Sequence, residues 1–326
     1  MSWSFSHWST WPAVLAVLLT WGCHRSHPEV AYVQAAVDSL HRYSLHAAQL
    51  DRDALRTEAL QQLTDTSTRT HSHAILDAMA RRIDRHSGLL PPGNVRAQLR
   101  LEDDPALAYP FAFRMLKNRI ALVRVDGFTK GDSLSCTRYA DSLQRAVVRL
   151  HDQSPNGWLI DLRLNSGGNL YPMLAGLGPL LGCGELGRDV DARGDQEAWW
   201  YCRDADHPEG AGHIALVPVP VVFNDTLPVV VLVGQHTGSA GEALAMSFIG
   251  RPRTLLFGDR TAGFTTGNRM CFLQDSAVLN ITNAVMMDRA GGTHPEGIAP
   301  DRRFRTDEAA FAAALDTLVH MGEEFR

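Results

Sequence analysis

One run limits the fold of this chain more than any other: Pro228-Val229-Val230-Val231-Leu232-Val233-Gly234. Its apolar residues do not alternate with polar ones, so the run describes a strand covered on both faces, as in the interior of a parallel sheet. A glycine-rich turn, Thr237-Gly238-Ser239-Ala240-Gly241, follows, and Glu242 to Ile249 then reads as a helix. The same grammar recurs elsewhere. Ile120 to Val125 reads as a strand, and Ser133 to His151 as a helix with Tyr139, Leu143, Val147, Val148 and Leu150 facing inward. Gly157 to Arg163, Thr254 to Gly258 and Ala277 to Ile281 read as further strands, and Thr306 caps a C-terminal helix rich in Ala and Leu. Strands alternating with helices predict a layered α/β architecture.

Upstream the texture is different. From about Pro28 to Leu90 the apolar residues fall at three- and four-residue spacing: Val33, Ala36, Val37 and Leu40, then Ile75, Leu76, Met79 and Ile83. That period predicts a small helical domain, closed by the turn Pro91-Pro92-Gly93. The expected organisation is a leader over 1–23, a helical domain over 28–92 and an α/β domain over 110–326. The 326 residues are 45% hydrophobic with a net charge of −5 and no Lys/Arg run, which gives nucleic-acid binding no support.

The leader is read from Trp11 to Trp21, an apolar core too short to span a bilayer, ending at Gly22-Cys23 before the polar run His24-Arg25-Ser26-His27. The pattern predicts export to the periplasm or cell envelope. A small residue directly before a cysteine resembles a bacterial lipoprotein signal, in which Cys23 becomes a lipidated, membrane-anchored N-terminus. Secretion with Cys23 removed is the other reading. Outside the cytoplasm the remaining Cys136, Cys183, Cys202 and Cys271 are free to form disulfides. Cys183 with Cys202, flanking a Gly- and Asp-rich stretch, is the favoured pair, and free buried thiols are the alternative. No Cys-x-x-Cys spacing points to zinc, and no metal or organic cofactor is expected.

Two segments carry chemistry. Ser239 follows a buried strand and directly precedes a helix, so its hydroxyl is exposed near a helix N-terminus, as attack on an acyl carbon requires. Glu242, three residues on, makes a capping box with it equally natural. Thr237 stands where the first glycine of a Gly-x-Ser-x-Gly elbow belongs, so this is not that motif. The second segment, Asp161-Leu162-Arg163-Leu164-Asn165-Ser166-Gly167-Gly168, ends a strand in paired glycines whose amides can approach a ligand closely. One amide from this loop and one following the serine would make an oxyanion hole. A plain glycine turn is the alternative.

Together IDLRLNSGG, VVVLVGQHTGSAGEALA and FGDRTAGFTTGN, with the helical region ending in DRHSGLL and the closing HPEGIAPD, resemble the C-terminal-processing (tail-specific) serine proteases. Their superfamily includes the tricorn core protease and the retinoid-binding-protein repeats. The resemblance runs from about residue 30 to the C-terminus and implies a ClpP/crotonase-like layered α/β core preceded by helices. The processing proteases use a lysine in Thr-x-Gly-Lys. Here the stretch is Thr261-Ala262-Gly263-Phe264, and Lys130 is the last lysine of the chain, so a lysine dyad is excluded. The tricorn-like branch implies His86 as base and Glu296 as the accompanying acid, and a neutral imidazole can accept the serine proton near pH 7.

That branch has a serine before the histidine; here Ser87 follows it. Only about thirty residues separate His86 from Ile120, too few for a PDZ domain, so the cleft itself must choose the substrate. The resemblance thus implies a serine-type peptidase acting on peptides or unfolded proteins. Ser239 is the nucleophile, Ala240 and Gly168 the oxyanion amides, and Ser87 and Glu242 supporting residues. His236, His294, His71 and His73 read as surface or loop histidines, and Asp161 with Arg163 as a brace of the strand–loop junction. Two other classes stand beside this one. The same fold can carry apolar ligands without proteolysis, and crotonase-like acyl-CoA enzymes also use paired amides, though export argues against CoA chemistry.

Overall fold

The computed structural model describes residues 28–99, 111–202, 217, 221–223 and 227–323. The leader, Cys23 and part of the Gly184–Val217 insertion lie outside the described residues. No helix among those described is long and apolar enough to cross a membrane.

The run that dominates the sequence is a central strand. A six-stranded sheet has the order β11-β8-β7-β4-β3-β2, made of β2 (Phe111–Met115), β3 (Ile120–Val125), β4 (Gly157–Asp161), β7 (Val229–Val233), β8 (Thr254–Gly258) and β11 (Arg302–Arg303). From β3 to β11 all neighbours are parallel, and β2 closes the edge antiparallel. The faces of β7 divide between two cores. Val229, Val231 and Val233 pack with α5 (Ser133–His151), α6 (Leu170–Leu181) and α7 (Ala240–Met246). Val230 and Leu232 pack under α8 (Asp307–Glu323). Burial on both sides is why the strand carries no polar alternation.

Helix α6 lies in a stretch that reads as irregular, because Gly176, Gly178 and Pro179 break the periodic signal. It is buried almost all round, and Gly178 lets it lie flat on Tyr201: a Cβ there would fall 1.9 Å from the ring.

The second sheet is antiparallel. Its long strand β10 (Val278–Asp288) pairs with β1 (Gly88–Leu90) and β5 (Glu185–Asp191), and also with β9 (Thr266–Phe272); β6 (Gln196–Trp200) pairs with β5. Helices α1 (Pro28–Tyr43), α2 (Arg52–Gln61) and α3 (Arg69–Ile83) form as their spacing predicts. Asp51 caps α2 by accepting from the N–H groups of Asp53 and Ala54. The inward faces of these helices share one cluster with Ala277, Leu279 and Ile281. Gly88 to Leu90, read above as the tail of the helical region, is a paired strand. A Cβ on Gly88 would lie 3.0 Å from the Asp77 and Arg81 side chains, and the chain turns at Asp84 onto β10. Cys183 and Cys202 are disulfide-bonded, with Cα atoms 4.8 Å apart, across the base of the β5–β6 hairpin; Cys136 and Cys271 are free thiols.

Candidate active site

Strands β4 and β7 are parallel neighbours, so the loops leaving their C-terminal ends emerge side by side. In open α/β sheets that edge is where ligands bind. The Asn165–Gly168 loop and the Gly234–Ser239 turn meet there. Asn165 is fully buried and joins them: its carbonyl accepts from Gly238 N–H at 3.0 Å, and its Oδ1 from Gly167 N–H at 3.0 Å. Thr237, also fully buried, closes the turn by donating to the Leu162 carbonyl at 2.9 Å and accepting from Gly234 N–H at 3.0 Å. Asp161 and Arg163 brace the junction through a two-pronged ion pair, and Arg163 also donates to the Asp307 carbonyl.

Ser239 stands at φ 53°, ψ −122°, a region most side chains avoid. Three things hold it there. Its N–H donates to the Glu242 carboxylate at 3.1 Å. The Glu242 and Ala243 amides donate back to its carbonyl at 2.8 and 3.0 Å. Gly167 packs so closely that a Cβ on it would lie 2.8 Å from Ser239 Cβ.

His86 reaches the serine from 153 residues upstream. The Asp84 carboxylate accepts from His86 N–H at 2.8 Å, fixing the turn after α3. The His86 carbonyl accepts from the side-chain amides of Asn268 and Asn280, each at 3.3 Å. The ring then lies with Nε2 3.1 Å from Ser239 Oγ and Nδ1 2.7 Å from Thr266 Oγ1. Phe264, which occupies the lysine position of the resembling proteases, packs against this imidazole with ring centroids 5.0 Å apart. Arg85 also lies over that phenyl ring and donates to the Gly263 carbonyl, so the histidine and the Phe264 loop are pinned together. Burial lowers the His86 pKa to about 4; Asp84 opposes the shift and Arg85 adds to it. The ring is therefore neutral, and able to accept a proton, throughout the neutral range.

Glu242 is fully buried. Besides Ser239 N–H it accepts from the Thr261 hydroxyl, from Gly263 N–H at 2.8 Å and from Phe264 N–H at 2.7 Å. One carboxylate thus ties the serine turn to the loop that backs the histidine. Among the described residues, neither Gly168 N–H nor Ala240 N–H donates to another group. A Cβ on Gly167 would lie 3.2 Å from Ala240 N, so the two amides expected to receive an oxyanion stand on adjoining loops.

The remaining expected residues lie elsewhere. Glu296 is exposed, and among the described residues its carboxylate takes part in no hydrogen bond or ion pair; only its carbonyl is used, accepting from Arg260. Ser87 is buried, and its hydroxyl accepts from Thr282 N–H at 2.9 Å, fastening the turn to β10 rather than facing Ser239. His73 pairs with Asp275 at 2.8 Å and His294 with Asp288 at 2.9 Å, His71 meets Ser67, and His236 is exposed. No cluster of metal-ligating side chains occurs among the described residues. Thr266 is hardly marked in the sequence. Its only signal is a place two residues after the position of the missing lysine, in a strand whose residues are mostly half-exposed and carry no apolar alternation.

A nucleophile turn and a glycine loop thus meet at parallel strand ends, with an imidazole against the serine hydroxyl. The chain belongs to Peptidase family S41, whose profile matches residues 119–304. It is 31% identical over 202 residues to the Nisin-resistance protein of Lactococcus lactis subsp. lactis, covering 61% of this chain and 60% of that one. It is 27% identical over 219 residues to the chloroplastic C-terminal processing peptidase of Tetradesmus obliquus, covering 64% and 43%. The chain therefore spans less than two thirds of the length of either relative. Among solved structures, a lipoprotein from Streptococcus agalactiae superposes with a TM-score of 0.76 at 23% identity, over 89% of this chain and 96% of that one. The photosystem II D1 C-terminal processing protease does so at 0.60 and 17%, over 85% and 93%. The matched family segment contains Ser239 but not His86, whose placement rests on the geometry.

Proposed function

We propose that this protein is an exported serine-type peptidase in which Ser239 and His86 carry out acyl transfer without a lysine. The observation that supports it most is the 3.1 Å approach of His86 Nε2 to Ser239 Oγ at the end of a parallel sheet. In the forward step Nε2 takes the hydroxyl proton while Oγ bonds to the peptide carbonyl carbon. The carbonyl oxygen becomes an oxyanion received by the Gly168 and Ala240 amides. As the C–N bond breaks, His86 returns the proton to the leaving amine. Water, deprotonated by the same imidazole, then releases the acyl group and restores Ser239. Glu242 acts by holding the nucleophile turn and the Phe264 loop in register.

The substrate class follows from the absent PDZ domain and from the relatives. A cleft that selects without a tail-binding module suits peptides and unfolded chains. One relative is named for nisin resistance, which makes nisin the first peptide to try. A neighbour described as a lipoprotein agrees with envelope attachment through Cys23.

Labelling by a fluorophosphonate probe tests the reading. Wild-type protein should label stoichiometrically, Ser239→Ala not at all, and His86→Ala at least 100-fold more slowly. Wild-type protein that fails to label, or a Ser239→Ala variant that labels equally, would hand the site to a non-catalytic binding role.

A further inference from the structure

The resemblance points to Glu296 as the acid behind the histidine, yet its carboxylate is exposed and engages none of the described residues, while another group occupies the place it would need. We propose that Thr266 is the positioning residue of this site: its hydroxyl holds the His86 ring in the rotation that presents Nε2 to Ser239, so that a neutral hydroxyl replaces the carboxylate. The inference rests on the Ser239–His86 reading above and extends it to the third member.

Four observations converge. Thr266 Oγ1 lies 2.7 Å from His86 Nδ1, the nitrogen turned away from the nucleophile. An acceptor at Nδ1 selects the tautomer with the proton there, which leaves the Nε2 lone pair for the serine proton.

Next, the strand is built to place that hydroxyl. Thr266 pairs with Val285 and Gly267 with Ala284, immediately beside a register shift at Thr282/Ala284, the kind of irregularity that re-aims side chains next to sites. At position 267 a Cβ would lie 2.6 Å from Asp189 Oδ1 on β5, so a side chain there would displace that carboxylate. The Asp189 side chain of β5 thus reaches the β9 backbone beside Thr266.

Phe264 closes one face of the imidazole, and Asn268 and Asn280 hold the His86 carbonyl. With its backbone anchored and one face packed, the ring keeps rotation about its own bond as its main freedom, and the Thr266 hydroxyl sets that. Finally, no carboxylate oxygen is within hydrogen-bond reach of either ring nitrogen among the described residues; Asp84 bonds the backbone N–H of His86 instead.

The exchange has a chemical consequence. A carboxylate at Nδ1 stabilises the imidazolium formed during attack, whereas a hydroxyl orients the ring without adding charge. The base should therefore work at lower pH than in a serine–histidine–carboxylate site.

The test uses the whole protein with a chromogenic peptide ester and a peptide substrate, measured from pH 4 to 9. Thr266→Val should lower kcat about tenfold or more with KM changed less than threefold, and Thr266→Ser should recover most of the loss. Thr266→Asp should move the acid limb of kcat/KM upward by at least one pH unit. Glu296→Gln should leave that limb where it is in the wild type. The imidazole tautomer, read by 15N NMR of the resting enzyme, should be protonated at Nδ1 in the wild type and mixed in Thr266→Val. A Thr266→Val enzyme within twofold of wild type overturns the proposal, as does a Glu296→Gln enzyme whose acid limb shifts while that of Thr266→Asp does not. Fluorophosphonate labelling of the same variants separates the failures. If no form labels, the serine–histidine reading itself is wrong; if all label at wild-type rate, only the role of Thr266 is.

Discussion

Ser239 shows how a single residue is held against its own preferences. A non-glycine residue at positive φ costs about 1–3 kcal/mol, and the cost is met where neighbours over-determine the backbone. Glu242 and Gly167 are those neighbours here. Gly167 lies at φ 110°, and a methyl group on it would meet Ser239 Cβ at 2.8 Å and the Gly238 carbonyl at 2.9 Å. Gly167→Ala should therefore abolish probe labelling, by at least 100-fold, and lower the melting temperature; a variant labelling at near wild-type rate would mean that the two loops are not locked together.

His86 makes a second prediction at this scale. Its pKa is about 4 in the fold against about 6.5 when unfolded, so the unfolded chain binds the extra proton first. The fold is penalised as pH falls from about 6.5, and the full penalty, about 3 kcal/mol, is reached only below 4. Above pH 7 the group contributes no pH dependence. Denaturant unfolding at pH 7 and 4.5 should show a larger acid loss for wild type than for His86→Gln.

At the scale of elements, the hairpin β5–β6 matters because Asp189 on β5 reaches Gly267 beside Thr266. The Cys183–Cys202 bond joins the end of α6 to the end of β6, and Trp199 on β6 donates to Asp189 on β5, whose carboxylate abuts Gly267. Cross-linking residues 19 apart removes loop entropy from the unfolded chain worth about 3 kcal/mol in the chain-entropy account. Replacing both cysteines by serine should lower stability by about that much, and a reductant should do the same to wild type and nothing to the double variant. Equal melting curves with and without reductant would contradict the bridge.

For the molecule as a whole, the helices and the antiparallel sheet form one core, since Val33, Leu40, Leu76 and Met79 pack with Leu279 and Ile281. The hydrogen bond between His73 and Asp275 and the bond from Thr282 to Asp84 fasten α3 to the β9–β10 region at two points. His86 and Thr266 belong to these two parts, so the packing that stabilises the molecule also sets the distance on which the site depends. A chain lacking residues 28–92 would expose Ala277, Leu279 and Ile281 and lose His86. It should show no cooperative unfolding transition by circular dichroism, and a sharp transition in that fragment would make the helices a separable domain.

The sequence by itself determined the parts whose signal is local. A strand buried on both faces must be apolar throughout, so β7 was legible; periodic helices gave α1, α3 and α5; Ser239 and Gly168 were legible because a turn at a strand end needs residues of their kinds. The strand β9, the buried helix α6 and the short strand β1 were not, since half-exposed strands, glycine-broken helices and three-residue pairings leave little pattern. His86 became legible through a motif, but its contact with Ser239 spans 153 residues, and only the tertiary structure could make it. Thr266 was decided wholly there: nothing in its neighbours marks it, and its meaning comes from the packing of β9 against β10 and Asp189, which turns an ordinary hydroxyl toward His86.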